Sequence, residues 1–344
     1  MTLESLGSPL ALGTRRARNR VLFGPHETNL DHGRSISERH VAYYRRRAAG
    51  GAGVVVVEEA SVDPSDWPYE HSPLAAQCGD GWAGVATELH EAGALALAAL
   101  GHAGGQGTSA YSQLPLWAPS PVPEVPGREV PKEMEEEDLA TLVRGFARAT
   151  RLAVSSGLDG VEINAGQHSL LRTFLSGLTN RRDDGYGQDR LRLAREVLTA
   201  VRDAAGDRVV GLRLCCDELF PYGGIEPDEG AVIAAELAAL ADYLVVVCGS
   251  IYSLAATRPD GHIEPGFNRE LSAQVRAAVE GRAPVVLQGS VVDLKMAAAA
   301  IADGVCDAVE MTRAQIAEPD LVAKALGGEA DRVRPCTLCN QNCR

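Results

Sequence analysis

The chain has 344 residues, 45% of them hydrophobic, with 33 Lys and Arg against 46 Asp and Glu and a formal net charge of −13. That size and apolar content exclude a disordered or fibrous chain and suit one large α/β domain. The acid excess excludes a long basic stripe for nucleic acid, and no apolar run approaches the roughly 20 residues that span a bilayer, so neither partner is expected.

In chain order, the first stretch carries its arginines after a weak apolar segment, the reverse of a secretory signal. Cys78, Cys215, Cys216, Cys248 and Cys306 are scattered, several of them in strand-like runs. Both features predict a cytoplasmic protein with reduced thiols. Short apolar or β-branched runs follow at 20–24, 54–58, 95–100, 160–164, 209–214, 243–248, 284–288 and 307–311. Each is apolar on both faces, as a parallel strand buried on both sides must be. Amphipathic stretches at 37–49, 137–155, 190–204, 228–240, 270–280 and 292–302 predict intervening helices. Ser37 and Asp228 open two of them, and Gly50, Gly157 and Gly304 sit at helix ends. The proline-rich stretch 115–131 predicts a long loop in the third unit, and the acidic run 133–138 opens the next helix. Eight such units predict an α/β fold, a (β/α)8 TIM barrel over 1–330 with a short cysteine-rich tail at 331–344. A doubly wound sheet is the rival, but the first turn, GPHETN, lacks G-x-G-x-x-G.

In such a barrel, chemistry belongs at the C-terminal ends of the strands. The residues there include Pro25, His26, Glu27, Glu59, Ala60, His102, Gln167, His168, Arg213, Tyr252, Gly289, Ser290, Thr312 and Arg313. Gly289-Ser290 and Thr312-Arg313 follow strands seven and eight, where barrels commonly bind phosphate through backbone N–H groups and a guanidinium. The plain reading of Arg313 is a surface salt bridge. Arg213, inside a buried strand, needs an anionic or carbonyl partner; the structural reading pairs it with Asp217 or Glu218.

Several motifs carry a resemblance: NRVLFGPHETNL, GHAGGQ, WAPSPVP, LDGVEINAGQHSLLRTFLSGLTNRRDDGYG and CDAVEMTRAQIAEPDLVAKA. In order and over nearly the whole chain they resemble the old yellow enzyme family of flavin oxidoreductases. The terminal CTLCNQNC resembles the iron–sulfur subgroup of 2,4-dienoyl-CoA reductase and trimethylamine dehydrogenase. GPHETNL and NAGQHSLL are similar to mycofactocin-associated oxidoreductases of this type. The resemblance implies bound FMN, with Pro25 and Ala60 against the ring, Arg213 facing its pyrimidine, and Gly289, Ser290, Thr312 and Arg313 at the phosphate.

The sequence departs from the family at instructive places. The usual substrate-binding His falls on Gln167 and the usual Tyr on Ser169, while His168 takes a small-residue position and reads otherwise as a rim histidine. Glu27 stands where amine dehydrogenases of the family carry the cysteine bonded to FMN, which implies non-covalent flavin. Beside it, His26 is a candidate flavin neighbour or, protonated, a partner for Glu27. Ala99 and Gly105 replace a Gln and an Arg of the family pattern. Tyr252 is the expected proton donor, its alternative being a pocket wall.

Cys336-x2-Cys339-x3-Cys343 presents three thiols from one short segment, a metal-type spacing. Zinc would want a fourth N or S ligand. The resemblance implies a [4Fe–4S] cluster whose fourth cysteine lies beyond this chain; an adventitious disulfide is the alternative. On this reading the cluster loop is cut and the chain is a fragment. FAD and NAD(P)H would belong to a further C-terminal or separate reductase domain.

The expected enzyme is a flavin-dependent NAD(P)H oxidoreductase. It would move a hydride between reduced FMN and an electron-poor alkene of enoate, enone or dienoyl type, with electrons arriving through the cluster. Two other readings stay open: an amine- or alcohol-type dehydrogenase, and a flavin-binding electron relay without turnover of its own.

Overall fold

In a computed structural model, residues 3–123, 128–220, 222–341 and 343 are described. Residues 124–127 of the proline-rich loop lie outside them. Eight parallel strands close into a barrel in chain order. They are β1 (Val21–Phe23), β2 (Val54–Ser61), β3 (Leu95–Gly101), β4 (Gly160–Ala165), β5 (Val209–Asp217), β6 (Tyr243–Cys248), β7 (Val285–Leu287) and β8 (Ala308–Glu310). The ring closes where Val309 of β8 pairs with Val21 of β1. All eight coincide with the runs expected from the sequence, and the (β/α)8 reading holds.

Outside the ring lie α1 (Glu38–Ala49), α2 (Gly79–Glu91), α3 (Glu136–Ser155), α4 (Arg192–Ala205), α5 (Pro227–Leu237), α6 (Arg269–Val279) and α7 (Leu294–Ala302). The acidic run before α3 does open it: Glu135 is the N-cap and Asp138 closes a capping box. Ser37 caps α1, with its backbone N–H donating to His40 Nδ1 at 3.0 Å. The second unit's helix, α2, carries three glycines in GDGWAG and shows no clean apolar stripe, so periodicity does not announce it. No helix among the described residues is long and apolar enough to cross a membrane.

Side chains alternate along each strand. Val55, Val57, Ala96, Ala98, Val161 and Ile163 pack outward against helices. Val54, Val56, Leu97, Val209, Val245 and Val286 point inward and fill the lower barrel. Leu10, Leu12 and Ala17 join that inner cluster from a hairpin, Leu10–Leu12 paired with Arg15–Ala17, which plugs the N-terminal end. Nothing in the hydrophobic pattern marks this hairpin. Its strands are three residues long, too short to establish a period.

Candidate active site

Above the apolar floor the inward positions turn polar. β4 contributes Glu162 and Asn164, β5 Arg213, β6 Tyr243 and β8 Glu310. Arg213 Nε donates to Glu162 Oε1 at 2.8 Å, and its Nη2 donates to Glu310. The Tyr243 hydroxyl donates to Glu162 Oε2 at 2.7 Å. Gly211 makes this possible, because a Cβ there would meet the Tyr243 ring at 2.2 Å. Arg213 thus pairs with carboxylates across the barrel rather than with the expected Asp217 or Glu218. Glu218 is instead held by Arg172 and Ser176. Burial opposes the charge on Arg213, but Glu162 and Glu310 together raise its pKa. Burial also raises the Glu310 carboxyl, with Arg213 pulling the other way.

On β2 the register slips between Val57 and Ala60, a bulge that separates two adjacent carboxylates. Glu58 faces α1, bonded to Thr28, His40 and Tyr69. Glu59 faces the interior and accepts a hydrogen bond from Asn164 Nδ2. Burial pushes the Glu59 carboxyl up to about 8; Asp66 and Glu27 add to the rise, while Asn164 and Arg213 oppose it. Glu59 is therefore a carboxylic acid that still holds its proton at neutral pH.

A cavity of about 280 Å³ opens over this layer at the C-terminal mouth. Of the expected site residues, Pro25, His26, Glu27, Gln167, His168, Arg213, Thr312 and Arg313 line it. Ala60 is buried between Glu59 and Ser61, both of which line the cavity. Gly289 and Ser290 take positive φ angles of 132° and 51° and form the turn after β7. Ser290 Oγ accepts from Arg313 Nη2.

Arg313 is not a surface ion pair. Its other donors go to Pro259 O and Asn340 Oδ1, both at 2.8 Å, so its acceptors among the described residues are all neutral. Burial lowers its pKa, with the Cys336 and Cys343 thiols opposing. A shielded guanidinium with neutral acceptors alone has unspent affinity for an anion. Close by, the buried Gln288 Oε1 on the same wall lacks a hydrogen-bond partner among the described residues.

The residues after β4 sort differently from expectation. Gln167 lines the cavity, with Nε2 donating to Cys248 O at 3.0 Å. His168 lines it too, as a neutral ring: burial lowers its pKa to about 4, with Arg172 and Arg258 adding. Ser169 is spent as a helix cap, its Oγ accepting from Arg172 N. His26 Nδ1–H donates to Glu27 O, so in the neutral ring Nε2 accepts from the Tyr43 hydroxyl at 2.7 Å. Burial lowers the His26 pKa, so a protonated His26 pairing with Glu27 is not what the structure holds. Tyr252, the expected proton donor, packs against Phe220 at 5.6 Å and is not among the lining residues.

The tail folds back over the mouth: Asn340 Nδ2 donates to Arg258 O at 2.8 Å, and Cys343 lines the cavity. Among the described residues, Cys336 and Cys339 are not joined to each other in a disulfide. Among the described residues, no group of three or more His, Cys, Asp or Glu is arranged to hold a metal ion. Cys336, Cys339 and Cys343 therefore do not form a gathered cluster site here. Sequence reading named neither Glu310 nor Gln288 nor Asn164 for the site. The available signal was a polar residue at inward parity on an otherwise apolar strand.

The profile of the NADH:flavin oxidoreductase / NADH oxidase family matches residues 5–331. A metal reductase of Desulforamulus reducens is 32% identical over 346 residues, covering 99% of this chain and 51% of the relative. An N,N-dimethylglycine/sarcosine dehydrogenase of Chromohalobacter salexigens is 32% identical over 355 residues, covering 99% and 51%. The chain thus spans about half the length of these curated relatives. Among solved structures, a 2-naphthoyl-CoA reductase complex superposes with a TM-score of 0.93 at 25% identity, covering 99% of this chain and 55% of that one.

Proposed function

The chain belongs to the NADH:flavin oxidoreductase / NADH oxidase family, and from that premise we propose that its barrel mouth binds FMN non-covalently and reduces an electron-poor alkene at the expense of NAD(P)H. The observation that carries this reading is a pair of guanidiniums, the buried Arg213 and the half-buried Arg313, lining one cavity. The donor set fits the cofactor. Arg313, whose acceptors among the described residues are neutral, and the Gly289–Ser290 turn suit a phosphate dianion. Arg213 offers donors and Gln288 Oε1 an unmet acceptor to the polar edge of the ring. FMN would supply the hydride chemistry when bound.

The rest is the work of this chain's side chains. The closed apolar floor excludes water from below. Gln167 and the neutral His168 present polar atoms to a small-molecule substrate. Glu59 holds a proton at its carboxyl near neutral pH and faces the cavity, so we assign proton delivery to Glu59 rather than to Tyr252. Within the family we place the chain with the trimethylamine dehydrogenase and dienoyl-CoA reductase subgroup, near its mycofactocin-associated members, on the motifs given above. The Cys336-x2-Cys339-x3-Cys343 spacing supports a role for 331–344 as part of an iron–sulfur loop in a longer protein with a reductase domain. Among the described residues the three thiols are not gathered into a metal site.

One observation favours a second reading: the likeness to a dimethylglycine/sarcosine dehydrogenase points to oxidation of an amine. The test is reconstitution with FMN, chemical reduction, and mixing with panels of enones and enoyl thioesters. Reoxidation by an alkene supports the first reading. Reduction of the oxidised flavin by secondary or tertiary amines supports the second. Flavin that answers to neither panel supports the electron relay, and a protein that takes up no FMN sinks all three.

A further inference from the structure

The polar layer holds a cluster whose charges do not balance. One guanidinium, Arg213, is gripped by two carboxylates, Glu162 from β4 and Glu310 from β8. Glu162 is engaged a second time by Tyr243. Among the described residues, Glu310 has one long additional contact, from the Thr312 hydroxyl at 3.4 Å. It also has a shaped seat: a Cβ on Gly24 would lie 2.1 Å from its carboxyl carbon, so β1 leaves room for hydrogen alone. Both carboxylates are nearly inaccessible to water, with Glu162 at 1% and Glu310 at 6% exposure. The other titratable groups that face the cluster are Tyr243 from β6, Glu59 from β2 and Glu27 from the turn after β1. None of these is a cation. Arg213 Nη1 makes no hydrogen bond among the described residues, so it is the donor left for a ligand in the cavity.

We propose that Glu310 is a positioning residue that cancels the charge of Arg213 toward the flavin and thereby makes the bound flavin a stronger reductant. The inference rests on the FMN reading above and deepens it. Two-electron reduction leaves the isoalloxazine anionic if one proton is taken up and uncharged if two are taken up. An unpaired guanidinium at the pyrimidine edge favours the anion and raises the potential. A guanidinium already shared between two carboxylates in a low-dielectric site offers a hydrogen bond from Nη1 without net positive charge. The reduced ring is then held uncharged and the couple is pulled toward hydride donation. That direction suits alkene reduction over amine oxidation.

The test is Glu310→Gln, which preserves size and hydrogen bonding but removes the charge. FMN affinities of oxidised and reduced protein are measured, together with the equilibrium potential against a reference dye. The ratio of reduced to oxidised affinity should rise tenfold or more, equivalent to a potential about 30 mV higher per tenfold for a two-electron couple. Gly24→Ala should push the carboxyl off Arg213 and move the ratio in the same direction. The wild-type protein gives an arm that needs no variant: at pH 7 its reduced flavin should show the spectrum of the uncharged form. An anionic spectrum there, or variants that bind FMN with the wild-type ratio, overturns the proposal and leaves the flavin reading standing. Wild-type protein that takes up no FMN overturns both.

Discussion

The two halves of the barrel interior share one backbone geometry and differ in everything else. Below, inward positions carry Val54, Val56, Leu97, Val209 and Val245, sealed by Leu10 and Leu12 of the hairpin. Above, the same parity on β4, β5 and β8 carries Glu162, Arg213 and Glu310. The lower half is held by area removed from water and tolerates exchange among apolar residues of similar volume. The upper half is held by pairing, where each member is costly to bury without its partner. A barrel can carry ionisable groups this deep because the floor beneath them closes out solvent and sets their pKa values by burial.

The largest test of this contrast is Arg213→Ala. It leaves Glu162 and Glu310 buried without their cation, and losing one partner of a buried pair costs about 3–5 kcal/mol. A denaturant midpoint should fall accordingly, and FMN affinity should fall with it; an unchanged midpoint would mean the cluster is solvated. Next, Leu97→Ala in the floor should cost about 2–5 kcal/mol through its cavity while leaving FMN affinity per folded molecule intact. Loss of FMN affinity in that variant would erase the distinction between the halves. Arg313→Ala should weaken FMN binding more than riboflavin binding and leave stability close to wild type, since Arg313 is in no ion pair among the described residues. Equal losses for the two ligands would remove Arg313 from the phosphate.

Smaller and sharper is the pH dependence of Glu59. Its folded pKa near 8 lies above the ordinary 4.5. Its contribution to stability is therefore fully present below the ordinary value and is lost as pH rises toward about 8. Glu59→Gln should flatten that decline and also remove a titration near 8 from the rate of substrate-dependent flavin reoxidation. Persistence of both in the variant would place the acid elsewhere. Tyr252→Phe should have the least effect, sparing flavin reduction and reoxidation alike; slowed reoxidation would return the proton to Tyr252.

The strands and most helices were open to a reader of the sequence because burial on both faces and helical amphipathicity are local patterns. The runs at 54–58 and 243–248 needed nothing from elsewhere in the chain. The mouth residues were legible only as a list of strand ends. Which of them face one another was not, since Arg213 lies 51 residues from Glu162 and 97 from Glu310. The bulge on β2 was equally hidden, although it decides that Glu59 and not Glu58 reaches the cavity. Ser169 stands where the family pattern has a Tyr, and the fold uses it as a cap, because a helix start needs an acceptor there.

The order of residues alone determined an eightfold barrel, its family and the rim on which chemistry would sit, because these follow from periodicity and from short motifs read along the chain. Closure of the ring decided the rest. It brought β4, β5 and β8 to one depth, chose two carboxylates as the partners of Arg213, left Arg313 among neutral acceptors and raised the Glu59 carboxyl toward neutrality. Burial and charge act through space, and only the closed ring sets the distances over which they act.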